Sequence, residues 1–445
     1  MNQQTPDSLF GGSSPQPAAD AKSPVPDLAE PPRLRRADRA QVLLRPCSLE
    51  ELLGPDHMAR LVWDLVTRWD LSSLEQQIKA RGQTPGRAQT DPCILLSLWL
   101  YAYIHGVSSG RELDQLCESD DAYRWICGGV SLNYHTLNDF RVDHEKTLDD
   151  VLSQMIAALT SQGLVKIRRI SQDGTRVRAS AGRKSFKTRP LLEQHLAEAK
   201  AHVTAMKQQA ADPKMPLRRQ KAAERAAQQR LSRLEKAISE LAKVEAAKAQ
   251  QKEKPSKHNA ARASETDAEA RYLRMPGGGT APAYNVQFAV ATEGRAVVGV
   301  DVTNAGSDVH QSQPMRQQVE RRTGQKVEQH LLDGGYVGLE SIENAEPHVT
   351  IFAPVPKPKK EGVDPHQPKP GDGPQVSQWR VRMGTEEAKT IYKQRARTSE
   401  TVNAECKTYR GLGPMMVRGI NKVRCVALLS ALAYNIVHFA AALRG

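Results

Sequence analysis

Several features that would assign the chain to a well-defined class are missing. None of its six cysteines forms a C-x-x-C pair, and no histidine lies at zinc-finger spacing from two of them. This argues against a zinc finger, and we expect reduced thiols in a reducing compartment. The first residues, MNQQTPDSLFGGSSPQPAAD, contain no basic region and no apolar run, so we expect no signal peptide and a cytoplasmic protein.

The chain also has little that resembles a membrane span. Its most apolar stretch, 423–442, is interrupted by Ser430, Asn435 and His438. A span needs about 20 predominantly apolar residues, so this stretch is borderline in length. Its alanines and polar interruptions favour a buried helix, and we expect no membrane partner.

Acidic residues are outnumbered by basic ones. The 63 Lys and Arg against 50 Asp and Glu give a net charge of +13, and the pI is near 9.4. Such an excess attracts polyanions, of which nucleic acid is the common one; a basic surface without such a partner is the alternative. The 445 residues predict two or three folding units, and the mean hydropathy of −0.55 indicates that part of the length is solvated.

The amino-terminal part divides into a tail and a helical region. Residues 1–36 are rich in Pro, Ser, Ala and Gly and predict a disordered tail. Apolar residues then recur at helical spacing, so we predict an all-α domain over 37–165. DNA binding by this domain is what the resemblance described below implies. Ser108 or Ser109 is a predicted helix cap, and Thr136 or Asn138 a predicted start of the next helix. The glycine turn between these helices suggests a helix-turn-helix-like arrangement.

The pattern changes at about Lys166 to short β-branched runs bounded by Gly, Asn, Asp or Pro, which predict strands. The first run leads to Asp173, and the others are 284–291, 296–303, 327–333 and 348–355. The order is a three-stranded meander, a helix, a strand, a helix and a strand. It predicts a mixed five-stranded sheet covered by helices, an α/β domain.

A charged segment, 190–261, separates the first of these strands from the others. Apolar residues from Leu192 to Met206 and from Leu231 to Leu241 step by three or four, with Asp212-Pro213 between the two groups. This predicts an antiparallel helical hairpin inserted into the α/β domain, and a flexible charged linker is the alternative. Its role is open among DNA contact, dimerisation and neither.

Three acidic residues stand out by position. Asp173 is predicted at the end of the first strand, Asp333 at the end of the fourth, and Glu400 on a helix spanning 386–409. Strand-terminal carboxylates gather at one edge of a sheet, where α/β domains bind ligands. Attack on a phosphodiester needs a deprotonated nucleophile and a neutralised leaving oxygen, which two Mg²⁺ ions held by carboxylates provide. Without cations, three such carboxylates would raise each other's pKa.

Three motifs around these acids resemble those of the DDE transposases of bacterial insertion sequences. They are Asp173-Gly174-Thr175, Asp333-Gly334-Gly335-Tyr336, and Tyr392-x2-Arg395-x4-Glu400-x6-Lys407, the last being similar to the family's Y-R-E-K signature. The segments 106–117 and 134–141 look like the family's helical region. The resemblance covers about 40–440 apart from the charged segment.

The resemblance implies a catalytic ribonuclease-H-like domain over 166–189 and 262–445. In it, Asp173, Asp333 and Glu400 would bind two Mg²⁺ or Mn²⁺ ions; Glu405 is the alternative to Glu400, which keeps the spacing to the signature lysine. A further group of residues would contact DNA: Tyr392, Arg395 and Lys407 near the cut, and Tyr134, His135 and Arg141 from the helical domain.

The implied activity is transposition. The chain would bind double-stranded DNA, both its terminal inverted repeats and a target, as a homodimer on DNA, and would catalyse cleavage and strand transfer. Two alternatives stay open: a nuclease without strand transfer, and a catalytically silent DNA-binding regulator.

Overall fold

A computed structural model describes residues 48–82, 88–208, 217–250, 260–358 and 361–444; the tail predicted at 1–36 lies outside them. The first described part is helical, as predicted. After a short 3₁₀ turn at Leu49–Leu52, the helices are α1 (Met58–Arg68), α2 (Ser72–Glu75), α3 (Pro92–Ile104), α4 (Gly110–Ser119), α5 (Asp121–Cys127), α6 (Tyr134–Asp143) and α7 (Glu145–Ser161).

Two polar residues set the starts of α4 and α6. The Ser109 hydroxyl accepts a hydrogen bond from the Glu112 N–H at 3.4 Å, so the second of the two predicted caps is the one used. Helix α6 begins at Tyr134, and the predicted starts at Thr136 or Asn138 are wrong. The reason is Asn133, whose Oδ1 accepts from two N–H groups of the first turn and caps the helix earlier.

The sheet that follows the helical region is mixed, as predicted. The strands are β1 (Lys166–Arg178), β2 (Phe186–Lys187), β3 (Ala263–Ser264), β4 (Arg271–Arg274), β5 (Thr280–Glu293), β6 (Val297–Thr303), β7 (Gln329–Leu331) and β8 (Thr350–Phe352). Two short strands, β2 and β3, form a separate pair. Strands β6, β5 and β1 are antiparallel neighbours, and β7 and β8 continue parallel to β1. Strand β4 pairs with the start of β5, so the described sheet has six strands instead of the five predicted.

The remaining helices lie between or after the strands. They are α8 (Arg189–Gln208), α9 (Leu217–Ala249), α10 (Ser312–Thr323), α11 (Leu339–Glu343), α12 (Pro374–Met383), α13 (Glu386–Tyr392), α14 (Thr401–Tyr409), α15 (Ile420–His438) and α16 (Ala440–Arg444). The helix predicted over 386–409 is not continuous, because a π-helical turn at Ala396–Glu400 precedes α14. The mixed sheet with its helices, behind a helical region, fits a ribonuclease-H-like fold.

Helices α8 and α9 pack along each other between β2 and β3. Leu192 and Ala199 of α8 share a buried cluster with Leu234, Ala237 and Leu241 of α9. Arg189, at the start of α8, pairs with Glu245 near the end of α9, whereas Glu198, further along α8, pairs with the earlier Arg230 of α9. The two helices therefore run antiparallel. The predicted proline-containing turn between them lies outside the described residues.

Helix α15 joins the helical region to the sheet. It packs on α3, α6 and α7 and also on β6, so all these elements share one hydrophobic core. The helix is long and apolar enough to cross a membrane by composition alone, but 72% of that stretch is buried inside the protein, as the sequence predicts. The predicted boundary at residue 165 therefore does not separate two cores, because a helix from the far end of the chain fills both sides.

Asn435 of α15 makes a two-hydrogen-bond contact with β6. Its Oδ1 accepts from the Val297 N–H at 2.9 Å, and its Nδ2 donates to the Val297 carbonyl at 3.0 Å. The asparagine is fully buried. It therefore satisfies two main-chain groups at the sheet edge that water does not reach.

We predict that Asn435→Leu lowers the free energy of unfolding by about 2–5 kcal/mol, because two buried main-chain groups lose their partners. Asn421→Leu, at an exposed position of the same helix, is the matched control and should change it by less than about 0.5 kcal/mol. Urea denaturation followed by circular dichroism measures both. Equal losses in the two variants would contradict the role of the Val297 contact.

Candidate active site

The strand register sets the first two acidic residues side by side. Strands β1 and β7 pair in parallel up to Ser171 and Leu331, and Asp173 and Asp333 each follow two residues later. The prediction that Asp173 ends its strand is wrong, because β1 continues to pair with β5 as far as Arg178. The two carboxylates thus meet where β7 ends and β1 runs on.

The Asp333 carboxylate is held at the start of a 3₁₀ turn, Gly334–Tyr336. Its Oδ1 accepts a hydrogen bond from the Gly335 N–H at 2.8 Å. The turn is anchored by Tyr336, which is buried and donates its hydroxyl hydrogen to Gln287 on β5. Asp333 therefore faces solvent from a fixed turn, with 36% of its side chain exposed.

Glu400 is the last residue of the π-helical turn and is 58% exposed. The turn is fixed to the sheet by the buried Ser399, whose Oγ lies 2.5 Å from the Oγ of Ser171 on β1. A π-turn places an extra residue in the helix, and such turns often occur at functional sites. Ser171 is two residues from Asp173, so this contact sets Glu400 over the same part of β1.

The guanidinium of Arg395 lies among all three carboxylates. Its Nη2 is 3.1 Å from Asp173 Oδ1 and 3.8 Å from Asp333 Oδ2, and its Nη1 is 3.1 Å from Glu400 Oε1. The arginine is 11% exposed. The three acids singled out in the sequence therefore converge on one cation.

Two further polar residues belong to this group and have no motif that reveals them in the sequence. Asn403, one helical turn after Glu400, donates from Nδ2 to Asp173 Oδ2 at 3.1 Å. Asp308, before α10, accepts from Asn285 and Gln287 at 2.6 and 2.7 Å. Spacing from Glu400 is the only signal that could have found Asn403. Asp308 comes from a loop, and its place is set by the fold.

Gly174 is required by close approach. A Cβ there would lie 2.5 Å from Gln287 Nε2, 2.7 Å from Asn285 Oδ1 and 2.9 Å from Asp308 Oδ1. A Cβ on Gly335 would lie 3.5 Å from the other oxygen of Asp308. Asp308 is therefore a fourth carboxylate beside the first three.

Burial and neighbouring charges shift the pKa values of several side chains in the site. Burial, with help from Asp333, raises the pKa of Asp173 to about 6, although Arg395 and Asn403 oppose the shift. Burial lowers the pKa of Lys407, against the attraction of Asp173. Burial also raises the pKa of Tyr392, which senses all three acids and Arg395. The residues of the resembled signature thus surround one site.

The donor set is suited to a hard divalent cation. Carboxylate oxygens are the ligands that Mg²⁺ takes in proteins, and here Asp173, Asp333 and Glu400 surround Arg395, with the Asp308 carboxylate next to them. In the described ranges, no three His, Cys, Asp or Glu side chains are grouped closely enough to hold a metal ion, since the guanidinium lies between the acids. Charge and donor chemistry fit a divalent ion.

The residues predicted to contact DNA from the helical region have different surroundings. His135 is exposed at the start of α6, beside the half-buried Tyr134, over whose ring the Arg111 guanidinium lies at 5.2 Å. Arg141 is 5% exposed; it donates to the Ser108 carbonyl and lies 4.7 Å over the Trp99 ring. This burial argues against the predicted DNA contact by Arg141, whose guanidinium joins α6 to the loop before α4.

We predict that Asp173→Asn stabilises the metal-free protein at pH 8 by up to about 3 kcal/mol, at about 1.4 kcal/mol per pKa unit. Because the folded pKa of about 6 lies above the unfolded value of 3.8, the fold favours the protonated acid. That contribution is complete below pH 4 and is lost as the pH rises through 6.

Urea denaturation in a chelator at pH 4 and pH 8 measures this difference. Asp139→Asn removes the same charge from an exposed position of α6 and should stay within about 0.5 kcal/mol of the wild type. An Asp173→Asn effect that is the same at both pH values would contradict the assigned ionisation.

Two segments of the chain match known protein families. Residues 47–143 match the family described as Transposase domain (DUF772), and residues 374–440 match the family described as Transposase DDE domain. Neither among curated proteins nor among solved structures is there a match. The second segment contains Glu400, Arg395 and Lys407, whereas Asp173 and Asp333 lie outside both. Both segments of the chain are thus similar to transposase families, and the second is similar to a DDE domain.

Proposed function

We propose that this chain is a transposase that binds the terminal inverted repeats of its insertion sequence, cuts the DNA there and joins the ends to a target. The observation that carries the proposal is the convergence of Asp173, Asp333 and Glu400 on Arg395. Two ends must be cut and joined together, so we propose two copies of the chain on the DNA.

In the proposed mechanism, Asp173, Asp333 and Glu400 hold divalent ions, Mg²⁺ or Mn²⁺. When bound, two such ions activate a water or a 3′-hydroxyl and neutralise the leaving oxygen of the phosphodiester. Asn403 and the Gly174 N–H each bond one oxygen of Asp173, and the Gly335 N–H bonds one oxygen of Asp333. These contacts orient the carboxylates before any DNA arrives, which lowers the reorganisation needed for the reaction.

Arg395, Lys407 and Tyr392 are proposed to contact the phosphates near the cut. A guanidinium donates two parallel hydrogen bonds to a phosphate, and its charge makes them stronger than neutral ones. In the structure, Arg395 pairs with the three acids. The Arg395 guanidinium would thus pair with carboxylates in the absence of DNA and with a phosphate when DNA is bound, so its charge has a partner in either case.

DNA contact from the helical region is proposed for Tyr134 and His135. They lie in the first turn of α6, where side chains of a recognition helix usually meet base edges. Arg141 is left out of this proposal because its guanidinium is buried and bonded within the fold.

We predict that Glu400→Gln lowers cleavage of labelled terminal-repeat DNA at least about 100-fold while DNA binding is retained, because a charged ligand is lost. Glu405→Gln is the matched control, since Glu405 lies on the same helical segment but pairs with Arg410 at 2.7 Å. It should cut at close to the wild-type rate. The assay uses Mg²⁺ or Mn²⁺ and resolves products on a denaturing gel.

The same assay separates the rival functions. Cleaved ends without joined products would favour a nuclease that lacks strand transfer. Binding without any cleavage by the wild type would favour a regulator. Loss of cleavage in Glu405→Gln but not in Glu400→Gln would overturn the assignment of the third acid.

A further inference from the structure

The pair of helices α8 and α9, here called the arm, carries its charge unevenly. Its distal part comprises 199–208 of α8 and 217–233 of α9, and its proximal part comprises 189–198 and 234–249. The distal part contains eight basic residues and one acidic residue, Glu224. The basic residues are Lys200, Lys207, Arg218, Arg219, Lys221, Arg225, Arg230 and Arg233. This part alone therefore carries +7 of the chain's net charge of +13.

The proximal part is neutralised and fixed to the sheet. Arg189 pairs with Glu245, and Glu240 pairs with Arg271 of β4 at 2.5 Å. Lys236 lies 2.8 Å from Glu269. Strands β2 and β3 pair where the arm begins and ends. The arm is thus rooted by partners of both signs, and its orientation at the root is set by the fold.

The distal cations have few protein partners. Arg230 lies 3.9 Å from Glu198, and the structure gives no ion pair to Arg218, Arg219, Lys221 or Arg225 within the residues it describes. All four are exposed. At 100° per residue, four of the six basic positions of 217–233 fall on the half of α9 that faces away from its buried residues Ala227 and Leu234. The other two, Arg219 and Arg230, lie at the flank of the buried side and are exposed. A helix face that is merely solvated usually carries acids as well as bases, but Glu224 is the one acid in the described distal part.

The side chains between these cations are small or polar. Ala222, Ala223, Ala226, Gln228 and Gln229 are exposed on the same stretch of α9. Such a surface lets a polyanion approach the helix closely, and the exposed Leu217 is the one large apolar side chain that the described part of this surface offers to a protein partner. A second copy would bring the same excess of positive charge and would be repelled.

We propose that the distal part of the arm binds the phosphate backbone of double-stranded DNA, away from the cleavage site and without reading its sequence. The inference rests on the proposed function in that the chain is taken to act on DNA. Each phosphate neutralised by Lys or Arg releases a counterion, so binding through this surface depends steeply on salt. The arm thereby adds affinity and orientation to the contacts made at the active site.

The test is the salt dependence of DNA binding by the full-length protein. The variant R218Q/R219Q/K221Q/R225Q removes four cations and keeps helix propensity, because Gln and Arg are similar in that respect. Binding to a duplex carrying one end of the insertion sequence is measured in chelator, between about 50 and 200 mM salt. We expect the slope of log affinity against log salt to become shallower by about 0.9 per lost contact, up to about 3.6.

A matched control removes the same charge elsewhere. The variant K166Q/R168Q/R321Q/K326Q changes four exposed residues, two of them at the start of β1, at the far end of that strand from Asp173. It should keep nearly the wild-type slope. Circular dichroism confirms that both variants are folded and equally helical.

Three results would overturn the inference. The slope could stay unchanged in the arm variant. The control variant could make the slope equally shallow, which would show that binding depends on the net charge of the protein and not on contacts made by the arm. The arm variant could also change the oligomeric state of the DNA-free protein by light scattering while the slope stays constant, which would make the arm a protein interface. If the wild type binds and cleaves DNA but the arm variant keeps the wild-type salt slope, only this inference is wrong. If the wild type does not bind DNA, the proposed function is wrong as well.

Discussion

Repulsion among like charges is the constraint on which the site depends. Asp173 comes from β1, Asp333 from the turn after β7 and Glu400 from the π-helical turn, and gathering them would be unfavourable without a cation between them. Arg395 supplies that cation, five residues before Glu400. The compensation is incomplete, because burial and Asp333 still hold the pKa of Asp173 near 6. The site therefore keeps an excess of negative charge, which a bound divalent ion would balance.

The position of this cation depends on local backbone geometry. An uninterrupted α-helix from 386 to 409 would turn Arg395 and Glu400, five residues apart, to faces about 140° apart. The π-turn reduces the rotation per residue, and the Ser399–Ser171 contact fixes the turn on β1. Arg395 and Glu400 can therefore meet in one ion pair above Asp173.

Helix α15 packs together the two distant segments that match transposase families. The matched segments, 47–143 and 374–440, include α3 and α6 at one end and α15 at the other, and these helices pack together. The active-site helix α14 lies within the second segment and packs on α15 as well. The helical region consequently supports the sheet that carries the candidate site, so the stability of the region and that of the site are coupled.

The sequence was informative wherever a pattern is local. Periodicity indicated the strands and the helical region, and spacing within motifs singled out Asp173, Asp333 and Glu400. It failed where position depends on tertiary contact. Asp308 is brought to the site by two amides of β5, and Arg141 is buried by a loop more than thirty residues away along the chain. The length of β1 beyond Asp173 was missed because it depends on pairing with β5, on the other side of the arm.

The arm raises a structural problem that its root resolves. It separates β1 from β5 by about a hundred residues, yet these strands must keep the register that places Asp173 opposite Phe288. Pairing of β2 with β3 closes the insertion before β5 begins, so its length no longer affects the strands. Buried Asp267 then accepts hydrogen bonds from the Tyr284 hydroxyl and the Gly419 N–H, fixing the returning chain between β5 and the start of α15. Because these contacts hold the root, the register of β1 and β5 does not depend on ion pairs in the distal part of the arm, where cations outnumber acids.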